Sequence, residues 1–334
     1  MIGSIQKIGI LGAGAWGTAL ACVARRAGRE VTLWAHESDV VEAINSDGAN
    51  PVFLPGVRLE PGIHATSEVS EAIDVDAVLI VCPAQFLRPV TDGLAGDWNK
   101  GVPAILCAKG IEHGSLKLMN EVVAETLPHT PVAVLSGPTF AAEVARGLPT
   151  AVTLATADPD LQGAISDALA TPTFRLYRSD DVVGAEVGGV VKNVLAIACG
   201  ISEGRGLGDN ARAALITRGL AEIVRLGRAK GGRAETFMGL SGLGDLTLTC
   251  NAMQSRNFSL GVELGKGASL GEILSSRRSV AEGVYSAAAV IGLAAKLDVD
   301  MPICQAVDAV INHHADITKT ISALLARPAR VELS

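Results

Sequence analysis

KIGILGAGAWGTALACVARRA, which runs from Lys7 to Ala27, is the stretch of sequence that decides the fold. It opens with an almost continuous apolar run at Ile8, Ile10 and Leu11. Such a run predicts a strand in the buried centre of a parallel sheet, because an exposed face would require alternating polar residues. A glycine-rich turn and an apolar helix follow at once. This order predicts the first half of a βαβ unit.

Three glycines in the turn indicate a dinucleotide site. Gly12 permits the tight turn, Gly14 allows a phosphate to approach the backbone, and Gly17 lets the helix pack closely on the strand. The helix N-terminus offers N–H groups without intrahelical partners and a partial positive charge, so a pyrophosphate needs no basic side chain. A glycine-rich connection that binds nothing is the alternative, but the order of strand, turn and helix favours nucleotide binding.

The end of the next strand, Glu30–Trp34, bears on the choice between NAD and NADP. This position usually carries an acid that binds the ribose 2′-hydroxyl of NAD, but no acid follows the strand until Glu37. His36, with Arg25 and Arg26 nearby in sequence, would tolerate a 2′-phosphate. An ordinary loop histidine is the alternative, because histidine serves many roles. The sequence leaves both cofactors open.

Length and composition narrow the class of protein. The 334 residues exceed what one core usually supports, so we expect two domains. A net charge of −7 without a long basic run argues against nucleic-acid binding. The 6 cysteines are scattered without metal-ligand spacing, which predicts reduced core thiols and no metal site. We find no signal pattern and no apolar run of roughly 20 residues, and therefore expect a cytoplasmic protein without an integral membrane span.

Alternating strands and helices predict a Rossmann-type domain over residues 1–181. Apolar strands are expected at 77–81, 103–107, 132–135, 151–155 and 174–177, and a short helix after Ser67. Segment 46–61 is expected to be a loop beside the cofactor, because its prolines and glycines exclude a regular element. Residues 182–334 read almost entirely as helices. We therefore predict an α/β fold in which an N-terminal parallel-sheet domain is joined by a long helix to a C-terminal all-α, substrate-binding domain.

Two of the predicted strands end in candidate site residues. Ligands of open α/β sheets bind outside the carboxyl ends of the strands. Strand 103–107 is followed by Lys109, and strand 132–135 is followed by Gly137 and Thr139. Topology alone therefore makes these three residues candidates.

Lys192 and Asn193 stand in the middle of a predicted helix, 185–200, whose residues are almost all apolar or small. An unpaired ammonium in such surroundings has its pKa driven down, which makes a lysine a usable proton donor near neutral pH. The alternative is a structural lysine that reaches solvent or pairs with Glu186 or Glu203.

A second polar cluster lies in LSGLGDLTLTCNAMQSRN, residues 240–257. It brings Asp245, Thr249, Ser255, Arg256 and Asn257 together within a dozen positions. The guanidinium and the helix start after the serine suit a phosphate. The alternative is a capped surface loop in which the serine is a helix cap and the arginine is solvated.

A capping box is predicted at Ser279-x-x-Glu282, ahead of a helix from Val284. His313 and His314 lie at a predicted helix end, where they complement the helix dipole; no further ligand lies at metal-binding spacing.

Seven ordered blocks that span nearly the whole chain resemble one known family. They are GAGAWGTAL (12–20), NPVFLPG (50–56), AKGIE (108–112), SGPTFAAEV (136–144), VKNVLAIACGISEGRGLGDNARAALITRGLAE (191–222), GLSGLGDLTLTC (239–250) and SRNFSLG (255–261). Together they closely resemble bacterial NAD(P)-dependent glycerol-3-phosphate dehydrogenase. The resemblance implies NAD(H) or NADP(H) as cofactor. It also implies reversible hydride transfer to the keto carbon of dihydroxyacetone phosphate, giving sn-glycerol 3-phosphate for phospholipid synthesis.

The resemblance also assigns roles to residues, with Lys192 as the proton donor and acceptor and Arg256 as the phosphate clamp. The implied substrate contacts are Lys109, Gly137, Thr139, Lys192, Asp245, Thr249, Ser255, Arg256 and Asn257. The implied cofactor contacts, with the three glycines, are Gly12, Gly14, Ala15, Trp16, Gly17, His36, Phe53, Lys109, Ala141, Arg256, Val280 and Glu282. Many relatives carry serine in place of Ala15 and tyrosine in place of Phe53. The first change removes one pyrophosphate hydrogen bond, for which backbone N–H groups should compensate.

Two rival functions remain at this point. One is another Rossmann dehydrogenase with a catalytic lysine, such as a β-hydroxyacid dehydrogenase or ketopantoate reductase, which acts on carboxylates; Arg256 and Asn257 favour a phosphate instead. The other is a cofactor-sensing binding protein without catalytic activity. Such a protein would have no need for Lys192 in an apolar helix. The expected partner is the small-molecule substrate, and the sequence leaves a homodimer possible.

Overall fold

The computed structural model of the chain describes residues 3–277 and 281–328. These residues form two compact units. The first contains the described residues of Met1–Lys109 and Lys117–Ala185, and the second those of Gly110–Leu116 and Glu186–Ser334. The short segment that follows Lys109 therefore packs with the second unit, although most of that unit lies much later in the sequence.

The first unit is a single eight-stranded sheet flanked by helices. Its strands are β1 (Lys7–Leu11), β2 (Glu30–Trp34), β3 (Ile63–Thr66), β4 (Ala77–Ile80), β5 (Ala104–Leu106), β6 (Val132–Ser136), β7 (Thr150–Ala155) and β8 (Phe174–Ser179). Its helices are α1 (Ala15–Arg26), α2 (Ser38–Asp47), α3 (Ala84–Leu94), α4 (Met119–Thr126), α5 (Ala141–Ala145) and α6 (Pro159–Leu169). The strand order is β3-β2-β1-β4-β5-β6-β7-β8. The order reverses beside β1, at the position where doubly wound sheets bind dinucleotides.

The sheet is parallel except at one pair of strands. β1 pairs in parallel with both β2 and β4, and its apolar residues are buried, as the opening sequence predicts. β6 and β7 are antiparallel, which is an exception within the predicted parallel-sheet domain. The connection between them, residues 137–149, contains only the five-residue helix α5. That length is at the lower limit for a crossover between parallel strands.

The segment before β4 also differs from the prediction. β3 was not expected, and residues 67–76 form turns rather than a helix beginning at Ser67. β3 is a four-residue edge strand with the sequence IHAT, which gives almost no apolar run. Its pairing with β2 therefore depends on the rest of the sheet more than on local sequence.

The second unit is built from helices. They are α7 (Val182–Gly204, which begins at the end of the first unit), α8 (Gly208–Lys230), α9 (Ala234–Phe237), a π-helical turn (Leu240–Gly244), α10 (Asp245–Asn251), α11 (Arg256–Gly265), α12 (Leu270–Ser276), α13 (Glu282–Lys296), α14 (Pro302–His313) and α15 (Ile317–Leu325). The N-cap of α13 is Ala281. Ser279 of the predicted capping box lies outside the described residues.

α7 is the central helix of this unit. With 23 residues, this helix is long and apolar enough to cross a membrane. The expectation that no apolar segment reaches the length of a membrane span was therefore wrong. However, 83% of its most apolar window is buried inside the protein. A buried core helix of a soluble protein has the same composition.

Glycines bring α7 and α11 into backbone contact. A Cβ atom added to Gly261 of α11 would lie 2.2 Å from the carbonyl oxygen of Ile197, and one added to Gly200 of α7 would lie 2.1 Å from that of Phe258. Real Cβ atoms do not approach backbone oxygens so closely. Only glycine therefore permits this helix crossing, which fixes the start of α11 relative to α7.

Candidate functional site

The glycine-rich turn of the first unit is shaped for a close approach. Gly12 has a φ of +115°, and a Cβ atom there would lie 3.1 Å from the amide nitrogen of Cys82. A Cβ atom on Gly17 would lie 1.9 Å from the carbonyl oxygen of Gly12. Nothing lies within 4 Å of the position that a Cβ atom on Gly14 would occupy. Two glycines are thus required by packing, whereas the third leaves open space in front of the helix.

The start of α1 fits a pyrophosphate. Gly14 is the N-cap in an extended conformation, and no side chain caps the helix. The indole Nε1 of Trp16, in the first turn, is buried without a hydrogen-bond partner among the described residues. Ala15 begins the helix and offers only its backbone N–H. An uncapped N-terminus facing open space has the donors that a dinucleotide requires.

Asn50 fixes the glycine-rich turn and was missed as a functional residue by the sequence analysis. Its Nδ2 donates to the carbonyl oxygen of Ala13 at 2.8 Å and to Oγ1 of Thr18 at 2.9 Å. Its Oδ1 accepts the N–H of Phe53 at 3.0 Å. Asn50 is fully buried, so it couples the 46–61 segment to the turn through a network closed to water. The available signal was an asparagine immediately before a proline in the segment expected to lie beside the cofactor.

His36 follows β2 and is exposed, with its ring edge-on to Trp34 at a centroid distance of 6.5 Å. The predicted assistance from two arginines is not supported by their contacts. Nε of Arg25 donates to the carbonyl oxygen of Pro61 at 3.0 Å, and Nε of Arg26 pairs with Glu60 at 2.6 Å. Both arginines lie in the last turn of α1, whereas the dinucleotide turn lies at its start. His36 is therefore the remaining candidate for a 2′-phosphate contact.

Three predicted site residues meet at the ends of β5 and β6. Nζ of Lys109 donates to the carbonyl oxygen of Gly137 at 3.1 Å, and Oγ1 of Thr139 lies 3.4 Å from the same oxygen. A Cβ atom on Gly137 would lie 3.0 Å from the Cα atom of Val152. Ala141 begins α5 immediately after this turn.

Lys192, Asp245 and Thr249 form a buried cluster in the second unit. Nζ of Lys192 lies 3.1 Å from Oδ1 of Asp245 and donates to Oγ1 of Thr249 at 2.9 Å. The threonine hydroxyl in turn lies 3.3 Å from the same aspartate oxygen. The three residues are 8%, 1% and 4% exposed. The arrangement holds the ammonium in one position.

Glycines position this cluster. Asp245 and Thr249 are one turn apart on α10, which places both side chains on one face. A Cβ atom on Gly188, one turn before Lys192, would lie 2.4 Å from the carbonyl oxygen of Ser241. The π-helical turn can therefore rest directly on α7, and the start of α10 follows beside the lysine.

The structure corrects the sequence interpretation of Lys192 in two respects. The side chain is buried rather than extended to solvent, and it forms an ion pair with Asp245, a partner that the sequence analysis did not consider. The sequence interpretation also assumed an unpaired ammonium, whereas the ammonium of Lys192 is paired with a carboxylate. A carboxylate at this distance stabilises the protonated amine, which opposes the effect of burial.

Asn257 binds within the protein at both ends of its amide. Its Nδ2 donates to Oδ1 of Asn193 at 3.0 Å, and its Oδ1 accepts the N–H of Gly283 at 2.9 Å. Asn193 adjoins Lys192, and Gly283 lies in the first turn of α13. These bonds connect the starts of α11 and α13 to the centre of α7. The sequence analysis did not predict this role for Asn193.

Ser255 and Arg256 begin α11. Oγ of Ser255 accepts the N–H of Phe258 at 3.2 Å, so the serine is the helix cap that the alternative interpretation predicted. Arg256 is exposed, and its guanidinium makes none of the hydrogen bonds found among the described residues. Glu282 is the first residue of α13. Val280, an expected cofactor contact, lies outside the described residues.

Comparisons with known proteins agree with this fold. The model of the NAD-dependent glycerol-3-phosphate dehydrogenase N-terminus matches residues 7–162, and that of the C-terminus matches residues 181–322. A glycerol-3-phosphate dehydrogenase [NAD(P)+] from Rhodospirillum rubrum is 61% identical over 98% of this chain and 94% of its own length. One from Caulobacter vibrioides is 55% identical over 98% of this chain and 99% of its own. The crystal structure of glycerol-3-phosphate dehydrogenase from Coxiella burnetii is 41% identical, with a TM-score of 0.93 over 97% of this chain and 99% of that one.

The fold and the dinucleotide turn define a Rossmann-type dehydrogenase. The two matching models together cover most of the sequence, and the relatives match it nearly end to end. The chain belongs to the NAD-dependent glycerol-3-phosphate dehydrogenase family.

Proposed function

We propose that this chain catalyses the reversible, NAD(P)H-dependent reduction of dihydroxyacetone phosphate to sn-glycerol 3-phosphate, which supplies glycerophospholipid synthesis. Family membership supports the reaction. The single observation that carries the mechanism is the buried contact of 3.1 Å between Lys192 and Asp245. Burying an ammonium is costly, and buried ionisable groups with a specific charge partner concentrate at functional sites.

Lys192 acts as the general acid. Its ammonium donates a proton from Nζ to the keto oxygen of the substrate as negative charge develops there, and takes the proton back in the reverse reaction. Asp245 keeps the amine charged before the reaction, and Thr249 fixes its direction. The nearly dry surroundings strengthen both interactions, since the local dielectric is low.

The phosphate of the substrate is bound by Arg256 and the start of α11. The exposed guanidinium offers a planar pair of donors, and the helix N-terminus adds its partial positive charge. Ser255 and Asn257 support this site by fixing the helix start, because their own side chains bind Phe258 and Gly283. We also assign three residues of the first unit as substrate contacts, namely Lys109, Gly137 and Thr139.

The cofactor is NAD(H) or NADP(H), which supplies the hydride when bound. We assign dinucleotide binding to residues 1–181 and substrate binding to residues 182–334. Gly12, Gly14, Ala15, Trp16 and Gly17 would hold the pyrophosphate with backbone N–H groups. The remaining contacts are assigned to His36, Phe53, Lys109, Ala141, Arg256, Val280 and Glu282.

The proposal also places the enzyme in the cytoplasm, as a homodimer without nucleic-acid partners. Sedimentation velocity of the purified protein tests the homodimer, and a single species at the mass of one chain would contradict it.

Steady oxidation of NADH or NADPH by dihydroxyacetone phosphate, followed by the loss of near-ultraviolet absorbance, tests the function. We expect turnover with the ketophosphate and none with ketopantoate or a β-ketoacid, because Arg256 is placed for a phosphate. Comparable turnover of the carboxylates would favour the rival class of dehydrogenase. Cofactor binding without any turnover would favour a sensing protein.

A further inference from the structure

Asn193 is a buried amide at the centre of α7 to which the proposed reaction gives no role. Its Oδ1 accepts a hydrogen bond from Nδ2 of Asn257, which is also buried, at 3.0 Å. Burying two amides costs free energy unless they are hydrogen-bonded, and apolar side chains of similar size would fill the same space without that cost. Packing alone therefore does not explain why α7 and α11 meet through two asparagines.

A backbone donor fixes the direction of both amides. The N–H of Gly283 donates to Oδ1 of Asn257 at 2.9 Å. Because a backbone N–H can only donate, the oxygen of the Asn257 amide faces α13 and its nitrogen faces α7, where Asn193 must present its own oxygen. A Cβ atom on Gly283 would lie 2.6 Å from the carbonyl oxygen of Asn193 and 2.8 Å from Oδ1 of Asn257. Only glycine brings this donor so close.

The asparagine pair lies in register with the glycine contacts between α7 and α11. A Cβ atom on Gly261 would meet the carbonyl oxygen of Ile197, and one turn further along both helices a Cβ atom on Gly265 would lie 2.6 Å from the carbonyl oxygen of Ile201. The asparagine pair lies one turn before the first of these contacts. The contacting residues therefore advance together along two helices that run side by side in the same direction.

The hydrogen bond between the asparagines specifies the register of these two helices. Small residues allow close packing, but a buried asparagine pair fixes one axial position at a cost in stability, as it does in coiled coils. The bond lies beside two proposed functional residues, because Lys192 precedes Asn193 on α7 and Arg256 precedes Asn257 on α11. A slide of α11 along α7 would therefore change the spacing between Lys192 and Arg256.

We propose that Asn193 is a positioning residue for substrate binding: through Asn257 it holds the start of α11, and with it Arg256, at one distance from Lys192. This inference rests on the proposed function, in which Arg256 binds the phosphate and Lys192 protonates the keto oxygen of the same molecule. A substrate of fixed length can reach both groups only when that distance is correct. Asn193 should therefore act on substrate affinity, and it should do so through Arg256.

A double-mutant cycle with Arg256 tests the proposal, using initial rates at saturating NADH. Asn193→Leu removes the acceptor with little change in volume. It should raise the KM for dihydroxyacetone phosphate by about tenfold and change kcat by less than about threefold. In the Arg256→Ala background, the same substitution should raise KM by less than about twofold, because the group that Asn193 positions is absent.

Two results of the cycle would overturn the proposal. An unchanged KM in Asn193→Leu would show that the bond does not affect substrate binding. An equal rise of KM in both backgrounds would show that Asn193 acts independently of Arg256. Absence of any turnover of dihydroxyacetone phosphate by the unmodified chain is a different result, since it would contradict the proposed function itself.

Further variants separate positioning from general destabilisation. Gly283→Ala displaces the donor that orients Asn257, so it should raise the same KM by about tenfold, and it provides the test if Asn193→Leu does not fold. Ser202→Ala removes a buried hydroxyl from the same helix as Asn193, and Gly271→Ala adds a methyl group in open space on α12. Both controls should keep KM within about twofold of the original value. Equal rises in the controls would attribute the effect to lost stability and reject the positioning role.

Discussion

Lys192 and Asp245 form an ion pair from which water is almost excluded: Nζ lies 3.1 Å from Oδ1, and the residues are 8% and 1% exposed. Burying two charges costs more than their attraction usually returns, so such pairs are weak evidence for a role in stability. The proposed role in proton transfer explains why the pair is present. Mutations of this pair can therefore measure two effects independently: the change in the stability of the fold and the change in the rate of the reaction.

The stability effect is tested by removing one charge and then both. Lys192→Met leaves the Asp245 carboxylate buried without its cation and should lower the free energy of unfolding by roughly 3–5 kcal/mol. Lys192→Met/Asp245→Leu should recover most of that loss, because no buried charge remains. Urea unfolding followed by circular dichroism measures both. A double variant as unstable as the single one would show that the pair stabilises the fold.

The glycine contact between α7 and α11 predicts a second effect on stability. Gly261→Ala should destabilise the protein by about 1–3 kcal/mol, because the added methyl group would meet the carbonyl oxygen of Ile197. Gly271→Ala, in α12, is the matched control, since nothing lies within 4 Å of its added methyl group. That change should be neutral or stabilising by up to about 1 kcal/mol. Similar losses in both variants would contradict the proposed close crossing.

Asn50 is expected to affect cofactor affinity, although we assign it no contact with the reacting groups. Asn50→Leu removes the bonds to Ala13 and Thr18, so the glycine-rich turn loses its support and the NADH dissociation constant should rise by about tenfold. Asn45→Leu is the control, because Asn45 makes a comparable pair of bonds to the backbone of Ala65. Fluorescence titration with NADH compares them, and equal losses of affinity would mean that general destabilisation is the cause.

The sequence was informative where the pattern is local. The run around Ile8 and Ile10 predicted β1, and the glycines that follow it predicted the turn into α1. The almost entirely helical character of the second unit was also predicted, although α10 and α12 were not assigned individually. In these segments, the residues that define the element are neighbours in the chain.

The sequence did not predict contacts between residues that are far apart in the chain. Asp245, an ion-pair partner of Lys192, lies on another helix, and Thr249 is 57 positions away. The antiparallel pairing of β7 and the edge strand β3 likewise depend on the assembled sheet. Asn50 lies 37 positions from Ala13. Such pairs are set by tertiary packing, which neither propensity nor spacing encodes.

Arg256 is expected to act on substrate binding. Arg256→Ala should raise the KM for dihydroxyacetone phosphate by about ten- to hundredfold, the value of charge-assisted hydrogen bonds to a phosphate, with a smaller change in kcat. Arg228→Ala provides the comparison, because Arg228 is an exposed arginine near the end of α8. Initial rates over a range of ketophosphate concentrations give both constants. An unchanged KM in Arg256→Ala would remove this residue from phosphate binding.

The proton-transfer role of Lys192 is the central claim, and the kcat of Lys192→Met/Asp245→Leu tests it most directly, because this variant lacks the amine but leaves no buried charge. We predict that NADH binds to it with nearly unchanged affinity while kcat for dihydroxyacetone phosphate falls by roughly 10²- to 10⁴-fold, and that Lys296→Met, at an exposed lysine of α13, retains full activity. A folded double variant that turns over at close to the original kcat would contradict the account.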